Sequence, residues 1–425
     1  MTLIPIELRS PIRKVSFAGA CLVLVGLYLY SALPIFLASH LAATPDPSNL
    51  TKAVQLEPSN AEYRDLVGRS LALSGMSLDD AITNDRIAVR LNPYVARYWL
   101  DLAGAYQLEG RTSEQEESVE QAVEADPTTP YVAWEAANLF LVQGDQEKAL
   151  RYFSIVLAND PDSVDSALEL CWRATGDANR ILDEALPRRP DRYLSFLRLL
   201  ISRQEVAAAE NVWNHLMALN QQFSAKLAFP YFRLLIAKQQ VAAAQSAWQE
   251  LAGIDRSLQL YLPSPTNLVV NGGFEENVLN GGLDWWYESN PHATLAIDTS
   301  DFFSGTRSLE ITFDGRNPTD AGIFQFIPVK PHTDYEFSAE SRTEDIQSAS
   351  GPRFAVVDAY TGASYVLTDD LLGTNPWRAQ HAQFQTGPNT NLLLLKIVRQ
   401  PANPLIRGKV WIDDVRLVEG SNEGR

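Results

Sequence analysis

Four prolines impose a period on the first half of this 425-residue chain. Pro58, Pro93, Pro127 and Pro161 stand in the steps LEP, LNP, ADP and NDP, spaced 35, 34 and 34 residues apart. Each follows an apolar-periodic stretch and precedes another, so each ends one helix and opens the turn to the next. The landmarks between them recur. In WLDLAGAYQLEG, Trp99, Leu102, Ala103 and Tyr106 lead to Gly110. One period later Ala137, Phe140 and Gly144 take the places of Ala103, Tyr106 and Gly110, and Gly75 lies 35 residues before Gly110. Such glycines supply the left-handed backbone that stops the first helix of a pair. Ala149 and Phe153 fall on the packing face of the second helix. The unit after Pro161 is shortened, yet FLRLLISRQEVAAAENVW (196–213) matches YFRLLIAKQQVAAAQSAW (231–248) at an offset of 35. A period of this length means stacked helix pairs, about five or six over residues 44–254, none of which buries its apolar face alone.

These landmarks resemble the tetratricopeptide repeat. The resemblance implies an all-α solenoid whose concave surface binds a peptide or partner protein. Such an array also serves as a rigid spacer. Trp99, Trp134, Trp172, Trp213 and Trp248 recur at the repeat spacing and read as inter-helix packing. Arg198 and Arg233 occupy equivalent positions, either lining a groove or facing water.

Ahead of the array, residues 15–39 carry no charge. As a helix this segment is roughly 37 Å long, enough for a hydrocarbon core of about 30 Å. Arg9, Arg13 and Lys14 precede it, and no Lys or Arg follows until Lys52. The positive-inside rule then puts residues 1–14 in the cytoplasm and the body of the chain in the periplasm, as a single-pass protein of a bacterial inner membrane. A cleaved signal peptide would have a shorter apolar region, about 7–15 residues. Cys21 lies inside the apolar run rather than after it, which argues against a lipoprotein anchor.

Apolar residues make up 46% and charged residues 20%, as in an ordinary globular chain. The net charge of −17 argues against nucleic acid as a partner, because that needs a basic face. Cys21 and Cys171 are too few and too far apart for a disulfide framework or a structural zinc site. Histidines at 40, 215, 292, 332 and 381 show no metal-ligand spacing.

Helix periodicity ends at SLQLYLPSPTNLVV, where Pro263 and Pro265 mark a linker over 255–265. Residues 266–420 use a strand language of short alternating runs between Gly, Pro, Asn and Asp. Leu309, Ile311 and Phe313 share one face of RSLEITF; Tyr335, Phe337 and Ala339 share one face of YEFSAESR. About nine or ten strands fit an all-β sandwich. Ile412 and Val415 are three apart, so strict alternation cannot bury both without a bulge.

Three ordered segments resemble the jelly-roll carbohydrate-binding modules of families 4, 9 and 22. They are NLVVNGGFEE (267–276) followed by GLDWW, SGTRSLEITF (304–313) followed by GIFQFIPVKPHTDYEFSAESRT (322–343), and KVWIDDVRLVEG (409–420). The resemblance implies a structural calcium held by Glu275 and Asp414, with Asp413 as the competing ligand. Carboxylates at one sheet edge suit a hard cation. For a polysaccharide or oligosaccharide, rings stack on pyranose faces and planar polar groups bond the hydroxyls. Trp286, Tyr287, Tyr360, Tyr365 and Trp377 supply rings, and Gln325, Arg342, Asp358 and Arg399 supply polar partners. Trp285 and Trp411 read as core residues.

No catalytic constellation is visible: no G-x-S-x-G, no H-E-x-x-H, no phosphate-cradling glycine loop and no Cys–His pair. Asp369–Asp370 and Asp413–Asp414 are adjacent, and neighbours on a strand point to opposite faces. The chain therefore reads as a multidomain, non-catalytic adaptor of the cell envelope. A transmembrane helix, a tetratricopeptide-type solenoid for a protein partner and a β-sandwich for saccharide fit surface polysaccharide assembly or export. The rivals are a purely protein-binding scaffold and a polysaccharide-active enzyme.

Overall fold

A computed structural model describes residues 10–44, 46–75 and 77–420. Arg9, part of the expected basic flank, lies outside the described residues. The chain divides into two compact units, Met1–Pro187 and Arg188–Arg425.

The first unit opens with α1 (Pro11–Ala42), whose N-terminus is capped by the Ser10 hydroxyl accepting from Arg13 N at 3.2 Å. By length and composition α1 is apolar enough to cross a membrane. It does not stop where the uncharged run stops. Ala38 is buried among Leu50, Ala53, Val54, Tyr63 and Val67, and Leu41 and Ala42 pack on the same cluster. The last turns of α1 are thus the first layer of the helical array.

After α2 (Pro47–Leu56) come three 14-residue pairs: α3 (Ala61–Ser74) with α4 (Leu78–Leu91), α5 (Ala96–Glu109) with α6 (Thr112–Ala125), and α7 (Pro130–Gln143) with α8 (Gln146–Asn159). The shortened unit is α9 (Val164–Thr175), then α10 (Ala178–Arg180) running into a π-turn at Ile181–Ala185. Gly75, Gly110, Gly144 and Gly176 all have positive φ, as the C-cap reading requires. At two of them the chain bonds back in Schellman fashion, Arg111 N to Tyr106 O and Asp145 N to Phe140 O, both at 2.9 Å. Ala149 and Phe153 are fully buried, and Trp134 meets Phe153 edge-on.

The second unit begins with α11 (Pro190–Ser202), α12 (Val206–Ala218), α13 (Phe229–Ala237) and α14 (Val241–Ile254). Trp213 and Trp248 are the inter-helix packing expected of them: Trp213 stacks on Tyr231 at 5.0 Å and Trp248 meets Phe232 edge-on at 5.3 Å.

Ten strands follow: β1 (Trp286–Tyr287), β2 (Ala293–Asp298), β3 (Ser308–Asp314), β4 (Asp320–Pro328), β5 (Asp334–Gln347), β6 (Pro352–Asp358), β7 (Ser364–Leu367), β8 (Gly373–Gln385), β9 (Leu392–Arg399) and β10 (Arg407–Glu419). They form two five-stranded antiparallel sheets, ordered β1-β4-β9-β6-β7 and β2-β3-β10-β5-β8. Between the sheets lies one apolar core including Phe274, Trp285, Ile311, Phe337, Phe354 and Leu395. The bulge required by Ile412 and Val415 is present. The β10–β5 register shifts between Asp413 and Arg416, Asp414 has φ 46°, and both apolar residues are buried.

The boundary between the two compact units falls at 187/188. Helices α11–α14 belong to the same unit as the sandwich. The stretch 255–265 is no loose linker; it contains a 3₁₀ segment, Arg256–Tyr261, with Leu258 and Tyr261 buried. Trp248 Nε1 donates to Tyr261 O at 2.8 Å, and Tyr261 OH donates to Asn277 O at 2.7 Å. Gly281 lies on the Phe229 ring and Gly282 on the Trp248 ring, so close that any side chain there would overlap them.

Candidate functional site

Most of the residues expected to touch saccharide are committed to the fold. Gln325 is wholly buried and binds both the amide and the carbonyl of Val270, at 3.0 and 2.8 Å, as a neighbouring strand would. Asp358 accepts from Tyr360 N, Thr361 N and Thr390 Oγ1. Its carboxyl is lowered: burial alone would raise it, but these donors together outweigh burial. Tyr360 OH donates to Ile236 O at 2.9 Å, and Tyr365 OH pairs with Thr390 and accepts from Gly387 N. Arg399 is buried and donates to the carbonyls of Ser350, Pro318 and Pro404.

Two others, Arg342 and Trp377, sit on the second sheet. Arg342 stacks on Trp411 at 4.4 Å and pairs with Asp301 at 2.9 Å, and Trp377 meets Phe303 at 6.0 Å. Trp411 is buried, though not in the core. It lies on the outer face of β10, between Arg342 and Lys409, with Nε1 donating to Asp298 Oδ2 at 2.8 Å.

Tyr287 opens onto a cleft at the β1 edge of the first sheet, while Trp286 beside it is buried. Trp286, Phe324 and Lys396 form one cross-strand row over β1, β4 and β9. The Trp286 and Phe324 rings are parallel at 6.4 Å, and Phe326 stands edge-on to both. Two hollows adjoin this row and share Glu288 and Ile323. One, of about 220 Å³, is lined by Asp320, Phe324, Phe326, Leu394 and Lys396. The other, of about 500 Å³, has Tyr287, Asn290 and Thr294 at polar positions and Val278 and Leu309 among its apolar ones. Gly322 has φ 73°, and a Cβ there would press on the Glu288 carbonyl at 2.7 Å, so the cleft wall needs glycine at that point. Arg233 of α13 covers Trp286 with its guanidinium 4.7 Å from the ring. The two hollows thus offer aromatic faces, the Glu288 and Asp320 carboxylates and the Lys396 cation.

Sequence reasoning missed Glu288, Asp320, Phe324, Phe326 and Lys396. The strand GIFQFIP alternates aromatic and polar residues, but here Gln325 points inward and the phenylalanines outward. Alternation separates the two faces without saying which one is buried.

Glu275 and Asp413 converge on the loop 301–307. Asp413 Oδ2 accepts from Phe303 N and Ser304 N at 2.9 and 2.8 Å, and its Oδ1 from Asp414 N at 2.7 Å. Glu275 accepts from Thr306 N and Oγ1, both at 2.8 Å, and from Arg307 N at 3.2 Å. Gly273 lies between them, with the position of a Cβ there 3.6 Å from Asp413 Oδ1 and 3.8 Å from Glu275 Cγ. Asp414 is turned away in the bulge and pairs with Arg416 at 2.8 Å. Among the described residues no three His, Cys, Asp or Glu side chains gather where they could hold a metal ion.

Residues 266–403 match the family CBM_4_9, described as a carbohydrate binding domain, over about a third of the chain. A solved CBM4 structure is 14% identical, covering 35% of this chain and 98% of its own, with a TM-score of 0.28. The CBM22-1 xylan-binding domain of Paenibacillus barcinonensis Xyn10C is 17% identical, covering 35% and 91%, with a TM-score of 0.26. A crystal structure of MamA is 14% identical, covering 42% and 95%, with a TM-score of 0.31. No curated protein matches the chain. Residues 266–403 of the sandwich are thus similar to the carbohydrate binding domain family, and the chain joins this sandwich to an array of paired helices.

Proposed function

We propose that this protein is a membrane-anchored, non-catalytic adaptor of the cell envelope that grips a saccharide in the cleft at β1 and β4. The observation that carries the reading is that Phe324, Phe326 and Lys396 line one of two hollows that share Glu288 and Ile323. Phe324 and Phe326 with Glu288 and Asp320 in one hollow, and Tyr287 with Asn290 and Thr294 in the other, match the apolar faces and hydroxyl edges of a pyranose. The helical array recruits a protein. Between residues 46 and 187 stand 25 acidic and 11 basic residues, a net charge of −14, which favours a basic partner. Envelope polysaccharide assembly or export unites these parts.

Structural calcium belongs to the same proposal. Glu275 and Asp413 supply hard carboxylate oxygens on either side of Gly273, and backbone carbonyls would complete the shell; bound there, the cation would stiffen the loop 301–307.

The test is retardation of the detergent-solubilised full chain in gels containing soluble xylan, β-glucan or a polyuronate, with Phe324→Ala as the cleft variant. Retardation by at least one polymer, weakened in the variant, is expected. No retardation by any, with calcium present, overturns the saccharide reading. Protease accessibility in spheroplasts tests the topology. One observation favours the rival, a purely protein-binding scaffold: Arg233 already covers the Trp286 ring.

A further inference from the structure

Loop 301–307 presents two phenylalanines to water, Phe302 at 38% and Phe303 at 48% exposure. Such a loop is normally free to fold its rings inward, but this one is tied down along its length. Asp413 holds the amides of Phe303 and Ser304, and Glu275 holds those of Thr306 and Arg307. Ser308 Oγ donates to Asp301 O at 2.6 Å, Arg342 pairs with the Asp301 carboxylate, and Arg307 reaches Glu275 O and Asn277 Oδ1. Gly305, with φ 66°, lies against the Glu275 carboxylate where no side chain fits. Exposure is therefore imposed on these rings by the backbone. On the adjacent strand β8, half-buried Trp377 tilts against Phe303, and Arg342 lies over the Trp411 ring while pairing with Asp301 and Glu344. Rigid aromatic faces next to a planar multi-donor group make a preorganised surface, which lowers the ordering cost of binding.

We infer that Phe302, Phe303, Trp377 and Arg342 form a second saccharide contact on the outer face of the second sheet, separate from the cleft. This rests on the saccharide reading of the sandwich. The occupant is a pyranose of a polysaccharide chain: the rings suit its apolar face and Arg342 its hydroxyls or carboxylate. The two contacts lie on sheets packed back to back, about 10 Å apart at their backbones. Two stretches of polymer can then be held at once, giving avidity and cross-linking without further contact area.

The experiment uses the detergent-solubilised full chain with soluble xylan, β-glucan and a polyuronate, reading gel retardation and the turbidity of protein–polymer mixtures. The wild type is expected to be retarded and to cross-link. Phe303→Ala/Trp377→Ala should abolish turbidity and weaken retardation about three- to tenfold, leaving the cleft-dependent part that Phe324→Ala removes. Trp377→Phe should retain most of both signals, and an unchanged thermal midpoint shows that the fold is intact. Should the double alanine variant misfold, Phe302→Ser, which alters only an exposed ring, is expected to lower turbidity on its own. Turbidity and retardation indistinguishable from wild type in the folded variants, with Phe324→Ala abolishing all binding, overturn the second contact and leave the cleft standing. A wild-type chain that no polymer retards overturns both.

Discussion

The Asp85 carboxylate lies directly against Gly68, in a contact that a methyl group at residue 68 would overlap. Both are buried, and neither Asp85 oxygen has a hydrogen-bond partner. In the next two repeats the places of this pair are held by Ala103 with Val119 and Ala137 with Phe153. The second repeat has thus exchanged an apolar contact for a buried acid on a bare backbone. Gly68→Ala alone should destabilise by about 1–3 kcal/mol, and Asp85→Val alone should stabilise by about 1–2 kcal/mol. In the double variant the alanine should cost almost nothing. Denaturant titration of the four proteins reads the coupling.

The same acid makes stability depend on pH. Burial, then the nearby Asp65 and Asp101 carboxylates, push Asp85 up to about 8 against the opposing Arg69. Burial, then Asp101, push Asp65 to about 7 against Arg97 and Arg69. The folded state therefore keeps protons that the unfolded chain releases near pH 4, and stability falls as pH rises from there to about 8. Unfolding midpoints between pH 5 and 9 should decline, and Asp85→Val should flatten the slope. A midpoint rising over this range refutes the assignment.

Gly282 has φ 64° and lies under the Trp248 ring. Gly282→Ala should cost about 1–3 kcal/mol in the second unit. By the same contacts, a fragment spanning 188–420 should be monomeric, whereas one spanning 266–420 bares the surface that Phe229 and Trp248 cover and should self-associate. Light scattering distinguishes them.

Asp413 is fully buried, so Asp413→Ala strands the amides of Phe303, Ser304 and Asp414, at a cost of about 1–3 kcal/mol. Acid should free the same loop. Asp298 is lowered to about 2 by the Ser300 hydroxyl and amide and by Trp411 Nε1; at Glu275 burial opposes, but the Thr306 and Arg307 donors leave it lowered as well. Their contribution is present above about pH 4 and is lost as pH falls through the folded values. Amide exchange at Thr306 and Arg307 that becomes faster, relative to the intrinsic rate, below pH 4 is the expected signature.

Two truncations test the layer that α1 adds to the array. A chain beginning at residue 34 keeps Ala38, Leu41 and Ala42 on the Leu50–Val67 cluster, and one beginning at residue 44 loses them. The shorter should be less stable by about 1–3 kcal/mol. Equal melting temperatures would show that α1 serves only as a tether.

What was legible in the sequence was whatever a local rule enforces. The prolines and the glycines with positive φ at 75, 110, 144 and 176 punctuate helix pairs because backbone sterics act residue by residue. Ile412 and Val415 betray the bulge because strand alternation admits no other way to bury both. The tertiary structure alone decided which polar groups are spent inside. Gln325 and Arg399 look like recognition groups on their strands, yet each answers a buried backbone partner far away in the chain, and Asp358 is spent on the amides of its own turn and on the distant Thr390 hydroxyl. It alone turned Phe324 and Phe326 outward, seated Trp411 between two cations, and joined α11–α14 to the sandwich. Those outcomes depend on which distant surfaces meet, and the energy of such a meeting is a property of pairs that no single stretch of chain contains.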